Sequence, residues 1–202
     1  VWDTNPPTKR ILRTLSRTKY ISVREILSQT ELANTYRIHA DIHIDLSYWS
    51  EFKERKYDQQ YGLAIGNLRQ NKPGIEGDVR INIKRDSWGK MIGILRNCEI
   101  FVTARFHEVH AACKARCPFV SIGGSSHKIN GLLRYADVDI PVLPAMASRM
   151  EIQKQIDIIK SRKDQFEKLF DFMEACEPLD VGKMLASADM CSDQSSSSTE
   201  QT

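Results

Sequence analysis

Between Glu99 and Leu133 the chain reads EIFVTARFHEVHAACKARCPFVSIGGSSHKINGLL, and no other stretch restricts the fold so tightly. An apolar run stops at Arg105-Phe106-His107, a helical segment follows, and a second apolar run stops at a Gly-Ser turn before His127-Lys128. Runs that stay apolar at every position, rather than at alternate ones, belong to strands covered on both faces. Helices between such strands make the connections parallel crossovers, and the handedness rule leaves a doubly wound layer sandwich. The expected fold class is therefore α/β, a Rossmann-like parallel sheet flanked by helices.

The rest of the chain continues the alternation. PPTKRILRTLSR predicts a short helix with Pro7 tolerated in its first turn. YISVRE predicts a β-branched strand ending near Arg24. Ser28, three residues before Glu31, has the spacing of a capping box and predicts the start of the next helix. IHADIHIDLSYW alternates apolar and polar residues and predicts a strand with one wet face. YGLAIGN predicts another strand, with Gly62 and Gly66 marking close packing or a turn, and NLRQNKPGIEGD predicts a surface loop. In SWGKMIGILRN, Trp88, Met91, Ile92 and Leu95 form one helical stripe. The divisions that follow are a basic, helical segment over 1–19, a Rossmann-like domain over 20–148, one long amphipathic helix over 149–177, and a Ser-rich disordered tail over 178–202.

Composition removes several classes of function. A net charge of +3 is too small to argue for a nucleic-acid partner, and the basic cluster TKRILRTLSRTK reads as a solvated helix face. No apolar stretch is long enough to span a bilayer and no signal peptide is recognisable, so neither a membrane span nor a secreted protein is expected. The five cysteines, an odd number at irregular spacing, read as reduced thiols of a cytoplasmic protein. Cys113 and Cys117 would share a helix face but lack further zinc ligands, and they read as core. Because the chain opens on Val1, it is expected to be part of something longer.

Ligands of open α/β sheets bind at the carboxyl ends of the strands, beside helix N-termini. Arg24, Arg105, His107, His127 and Lys128 all fall at such ends and suggest a cradle for a small, multiply charged anion. Each also has a plain reading: Arg24 as a surface ion pair, His107 as a capping or core histidine. Arg105 and His107, two apart, would point the same way if the strand persisted that far. His107 with His110 could suggest a metal, but the nearby carboxylate, Glu108, points elsewhere on the helix. His39, Asp41, His43 and Asp45 lie on the polar face of one predicted strand, roughly 6.6–6.8 Å apart, and offer a second metal reading beside that of a wet strand face. The site assignment carries no metal.

Over Tyr20 to Val142 the sequence resembles the polysaccharide pyruvyl transferases. ISVREILSQTEL resembles that family's strand with an Arg-acidic pair and following helix, and IHIDLSY is similar to its next strand, which ends in Asp. TARFHEVHAACKARCPFV is similar to the Arg-x-His segment with its helix and Pro-led strand, and SSHKINGLL to the Lys-bearing turn. The resemblance implies the C-terminal, donor-binding half of a glycosyltransferase-B-type fold. It implies transfer of the enolpyruvyl group of phosphoenolpyruvate to sugar hydroxyls of a glycan as a pyruvate ketal, without metal or organic cofactor. In that scheme Arg24 and Arg105 hold the donor's phosphate and carboxylate, Lys128 and His127 add contacts, and His107 is the general acid and base. An N-terminal domain that helps hold the acceptor is missing from this sequence. Two alternatives keep the fold: a nucleotide-sugar glycosyltransferase half-domain, for which IGGSS supplies only part of a diphosphate loop, and a non-catalytic remnant domain.

Overall fold

The computed structural model describes residues 8–53, 55–68, 75–124, 127–180 and 182. Its centre is a five-stranded, all-parallel sheet built from β3 (Tyr61–Ile65), β4 (Val79–Arg80), β5 (Cys98–Thr103), β6 (Phe119–Ile122) and β7 (Val142–Leu143). The spatial order is β4-β3-β5-β6-β7. From β3 the chain steps outward to β4 and then returns to the other side, so the strand order reverses between β3 and β5. Phe101 pairs with Phe119 and Val102 with Val120, which puts two largely apolar strands inside the sheet, with Thr103 opposite Ser121. Phe101, Val102, Phe119 and Val120 are fully buried, as strands sandwiched by helices on both faces must be.

Helices α3 (Trp88–Leu95), α4 (Phe106–Ala115), α5 (Lys128–Tyr135), α6 (Arg149–Ile159) and α7 (Lys163–Ala175) flank this sheet. Ser87 caps α3, accepting from the Lys90 N–H, and Met91, Ile92 and Leu95 go into the core as their spacing predicts. The long C-terminal helix expected over 149–177 is instead two helices. Ser148 and Glu151 form a full capping box at the start of α6, and the helix then breaks at Lys160–Arg162. Ser161 Oγ bonds back to the Ile158 carbonyl, and Arg162 leaves the helix path to reach the Asp139 carbonyl at 2.6 Å. The expected apolar face holds across the break: Ile152, Ile156, Ile159, Phe166, Phe170 and Met173 are all buried. The Ser-rich segment 183–202 lies outside the described residues, as do 1–7 and most of the NLRQNK stretch.

Ahead of the sheet stands a small unit with its own apolar cluster. Helix α1 (Lys9–Arg17), strand β1 (Ser22–Val23), helix α2 (Ile26–Tyr36) and strand β2 (Asp41–Ile42) gather around Leu32, Ile38 and Ala40. β1 and β2 form a separate parallel pair, Ser22 opposite Asp41 and Val23 opposite Ile42. The long strand expected from IHADIHID is thus only two residues. Backbone pairing runs one residue further, His43 N–H to the Val23 carbonyl at 2.9 Å, before Asp45 turns the chain into a 3-10 turn, Leu46–Trp49. α2 also starts earlier than the Ser28–Glu31 spacing implies. Its cap is Glu25, whose carboxylate accepts from the Leu27 N–H at 2.7 Å and the Ser28 N–H at 3.0 Å. Cys117 is not on the face of Cys113 either, because α4 ends at Ala115 and Arg116 takes a left-handed φ of 54°. Both thiols are nonetheless buried, as expected of core residues. No helix among the described residues is long and apolar enough to cross a membrane.

Glu25 also decides how this unit meets the sheet. It is 1% exposed, and a Cβ built on Gly131 of α5 would overlap its carboxylate. The α2–α5 approach therefore depends on a missing side chain. Gly131→Ala is expected to destabilise the protein by about 1–3 kcal/mol, the range for overpacking a filled interior. Urea denaturation followed by circular dichroism measures this, and a midpoint equal to the parent's would disprove the close approach.

Candidate functional site

Four element ends meet at the carboxyl side of the strands. β1 delivers Arg24 and Glu25, the end of β2 delivers Asp45, α4 opens with Phe106 and His107, and α5 opens after His127 with Lys128. The joining group is Asp45. Its Oδ1 accepts from the Ser47 N–H at 3.0 Å, capping the 3-10 turn, while Oδ2 forms an ion pair with Arg24 Nη1 and lies 3.2 Å from His107 Nε2. Arg24 Nη1 and His107 Nε2 are themselves 3.4 Å apart. The Arg24 guanidinium also lies over the Phe106 ring, 5.4 Å from its centroid, a cation–π contact that holds its plane.

Exposure grades this cluster from floor to mouth. The Asp45 side chain is 9% exposed, whereas Arg24 is 38% and His107 48% exposed. Burial alone would raise the Asp45 pKa, but hydrogen bonds from His107, the Ser47 turn and Arg24 outweigh it and hold the carboxyl well below its ordinary range. The carboxylate is a fixed buried anion with two basic groups above it, facing solvent.

Beside this group sits a second one. His127 Nε2 lies 3.5 Å from Glu25 Oε1 and 3.5 Å from Ser28 Oγ. Lys128 has its pKa lowered, first by partial burial and then by the Arg24 charge, against opposing pulls from Glu25 and Asp45. Lys128 therefore shares the electrostatic neighbourhood of Arg24 and Asp45. The turn before it offers less to describe, since Ser125 and Ser126 lie outside the described residues.

Arg105 stands apart from this arrangement. β5 stops at Thr103, so Arg105 is the N-cap of α4 and His107 its second helical residue. Two residues apart on a helix point roughly 200° apart, not the same way as on a strand. The Arg105 charge acts instead on Glu108, a fully buried carboxyl that accepts from Thr103 Oγ1 and, at 3.0 Å, from the Asn67 N–H. Glu108 thereby ties the ends of β5 and β3 at the point where the strand order reverses. Burial raises its pKa against those bonds.

The residues of both metal readings are engaged with other partners. His39 Nε2 is 3.4 Å from Asp41 Oδ1 on the surface, His43 Nε2 is 2.8 Å from the Tyr20 hydroxyl, and Asp45 serves Arg24 and His107. His110 is fully buried, with Nδ1 3.0 Å from the Phe106 carbonyl, and the His107, Asp45 and Arg24 charges still reach it. Among the described residues no cluster of three or more His, Cys, Asp or Glu is placed to hold a metal ion.

Two features escaped the sequence reading. Arg24 and His107 share the Asp45 carboxylate and His127 lies beside Glu25, so the cradle is closer to neutral than a count of Arg, His and Lys suggests. In the sequence Asp45 is one of four residues of a metal reading and the Asp ending a family-like strand, not the partner of Arg24 and His107. Its signal was the DLS sequence after an apolar run, the pattern of an Asp capping a turn. No protein-family model matches the chain, and no curated protein does.

Burial of His110 has a measurable consequence. Desolvation pushes its pKa from 6.5 down to about 4, so the folded state resists a proton that the unfolded state accepts. The folded protein is then at full strength above pH 6.5 and loses stability as pH falls from there toward about 4. The total is about 3 kcal/mol. Replacing His110 by Leu should flatten the stability–pH curve in that window, read by denaturant midpoints at several pH values. An unchanged slope would show that His110 does not titrate as described.

Proposed function

We propose that this chain is the donor-binding part of a polysaccharide pyruvyl transferase-like enzyme, with phosphoenolpyruvate as donor and a pair of glycan hydroxyls as acceptor. One observation carries the reading: Arg24 and His107, 83 residues apart, meet over the Asp45 carboxylate, with Lys128 in the same electrostatic neighbourhood. In this reading the sheet is the C-terminal half of a glycosyltransferase-B-type fold, and the acceptor is held by a further domain ahead of residue 1.

The chemistry suits those groups. One hydroxyl oxygen of the acceptor bonds to the enol carbon C2 while the C2=C3 electron pair takes a proton and becomes a methyl group. The second hydroxyl oxygen then displaces phosphate from C2. Of the two hydroxyl hydrogens, one ends on the methyl group and the other on phosphate, so the sum is a ketal and hydrogen phosphate. His107 is the group that takes and returns the proton, worth roughly 10²–10⁴-fold in rate. Arg24 supplies a planar fork for the donor's carboxylate or phosphate, and Lys128 a movable charge for the departing phosphate. His127 extends this set as a donor contact, whereas Arg105, apart from the group, leaves it. No cofactor enters the scheme.

Isothermal titration of the chain with phosphoenolpyruvate and, separately, with a uridine diphosphate sugar tests the reading without an acceptor. Heat is expected with phosphoenolpyruvate only, and Lys128→Ala should weaken that binding about 10-fold, the loss of one charged contact. His107→Ala should leave donor binding within about 3-fold of the parent while lowering transfer roughly 10²–10⁴-fold. Heat with the nucleotide sugar alone would replace this reading by a glycosyltransferase half-domain, and binding of neither would favour a non-catalytic domain.

A further inference from the structure

The contacts of His107 distinguish its two ring nitrogens. Nε2 faces Asp45 Oδ2 at 3.2 Å, and the same nitrogen is 3.4 Å from Arg24 Nη1. A guanidinium only donates and an ionised carboxylate only accepts. With both groups beside one imidazole nitrogen, the consistent arrangement has Arg24 and Nε2–H donating together to Oδ2. In a neutral imidazole the lone pair then sits on Nδ1. The Asp45 carboxylate cannot easily turn away to change this. Its other oxygen is tied to the Ser47 N–H at 3.0 Å, and the side chain is 9% exposed. The hydrogen bonds from His107, Ser47 and Arg24 also keep the carboxyl ionised, against the effect of its burial.

We propose that Asp45 is a positioning residue that holds His107 as the Nε2–H tautomer, making Nδ1 the nitrogen that moves the proton. The proposal rests on the pyruvyl-transfer reading for its chemistry and on the Asp45 contacts for its geometry. It also sets an order of events. The ring enters with a proton on Nδ1 as well and gives it to C3, the C2=C3 electron pair forming the new C–H bond. The neutral imidazole left, its lone pair on Nδ1, then takes the acceptor hydroxyl's proton as that oxygen bonds to C2, and the ring returns to its starting state. Arg24, with Nη1 committed to Asp45, meets the donor through its remaining N–H groups.

The tautomer is measured directly by long-range proton–nitrogen correlation spectra of the protein labelled with ¹⁵N-histidine, at about pH 8, where ordinary imidazoles are neutral. His107 signals are assigned by their loss in His107→Asn. The expected pattern is a protonated Nε2 and a bare Nδ1; a protonated Nδ1 in the parent protein overturns the proposal, whatever any variant does. Asp45→Asn, which keeps the shape of the side chain, is expected to mix the two tautomers, and an unmixed pattern there would remove Asp45 from its role. In a transfer assay, Asp45→Asn should lower kcat while leaving KM nearly unchanged, because a mixed tautomer leaves fewer rings with a bare Nδ1. A variant with the parent's kcat overturns the positioning role. If phosphoenolpyruvate neither binds nor reacts, the pyruvyl-transfer reading fails, and the spectra still decide whether Asp45 sets the tautomer.

Discussion

The Asp45 carboxylate is the interaction on which the arrangement of this protein turns. It caps its own turn with one oxygen and, with the other, meets Arg24 from the end of β1 and His107 from the start of α4. Those partners belong to different bodies of structure, the small β1–α2–β2 unit and the five-stranded sheet with its helices. A buried ion pair is a weak source of net stability, because desolvation consumes most of the Coulomb gain. Breaking one is nonetheless costly, about 3–5 kcal/mol when a charge is left without its partner. Asp45 therefore acts less as glue than as a selector of one docking geometry.

Glu25 repeats that logic one residue along from Arg24. It caps α2, approaches the Gly131 backbone and sits 3.5 Å from His127 Nε2. Adjacent residues of opposite charge thus serve different neighbours: Arg24 meets Asp45 and His107, and Glu25 meets α5. Glu108 does comparable work at the strand-order reversal, bonding to Thr103 of β5 and to Asn67, two residues past β3. A Cβ on Gly66 would come within 2.7 Å of Phe101 Cζ and overlap the Glu108 carboxylate, so the ends of these strands close around that group. The crevice that such sheets usually offer a ligand is here filled by a side chain, and the open basic surface lies beside it, over Asp45.

How much of this was legible depended on whether the signal was periodic. Strands β3, β5 and β6 and helix α3 were readable because burial on both faces, or on one stripe, leaves a pattern in consecutive residues. The two-residue strands β4 and β7 were not, since Val79–Arg80 and Val142–Leu143 are strands only by virtue of the neighbours they pair with. The break between α6 and α7 left the apolar spacing intact, and Arg162 signals it only through its reach to Asp139. Ser28 looked like a cap because its spacing to Glu31 fits, but the buried Glu25 carboxylate took the first N–H groups instead.

By itself, the sequence determined the α/β class, the apolar centre of the sheet, and the placing of Arg24, His107, His127 and Lys128 near element ends. These follow from local periodicity and from where apolar runs stop, which consecutive residues encode. Only the tertiary structure decided that Arg24 and His107 meet over Asp45, that Arg105 becomes the N-cap of α4 with its charge acting on Glu108, and that His110 is sealed in the core. Those outcomes depend on the crossing of four chain segments far apart in sequence, and on a helix that begins at Phe106 and rotates neighbouring side chains away from one another. A charge can be counted from its letter, but its partner is chosen by packing.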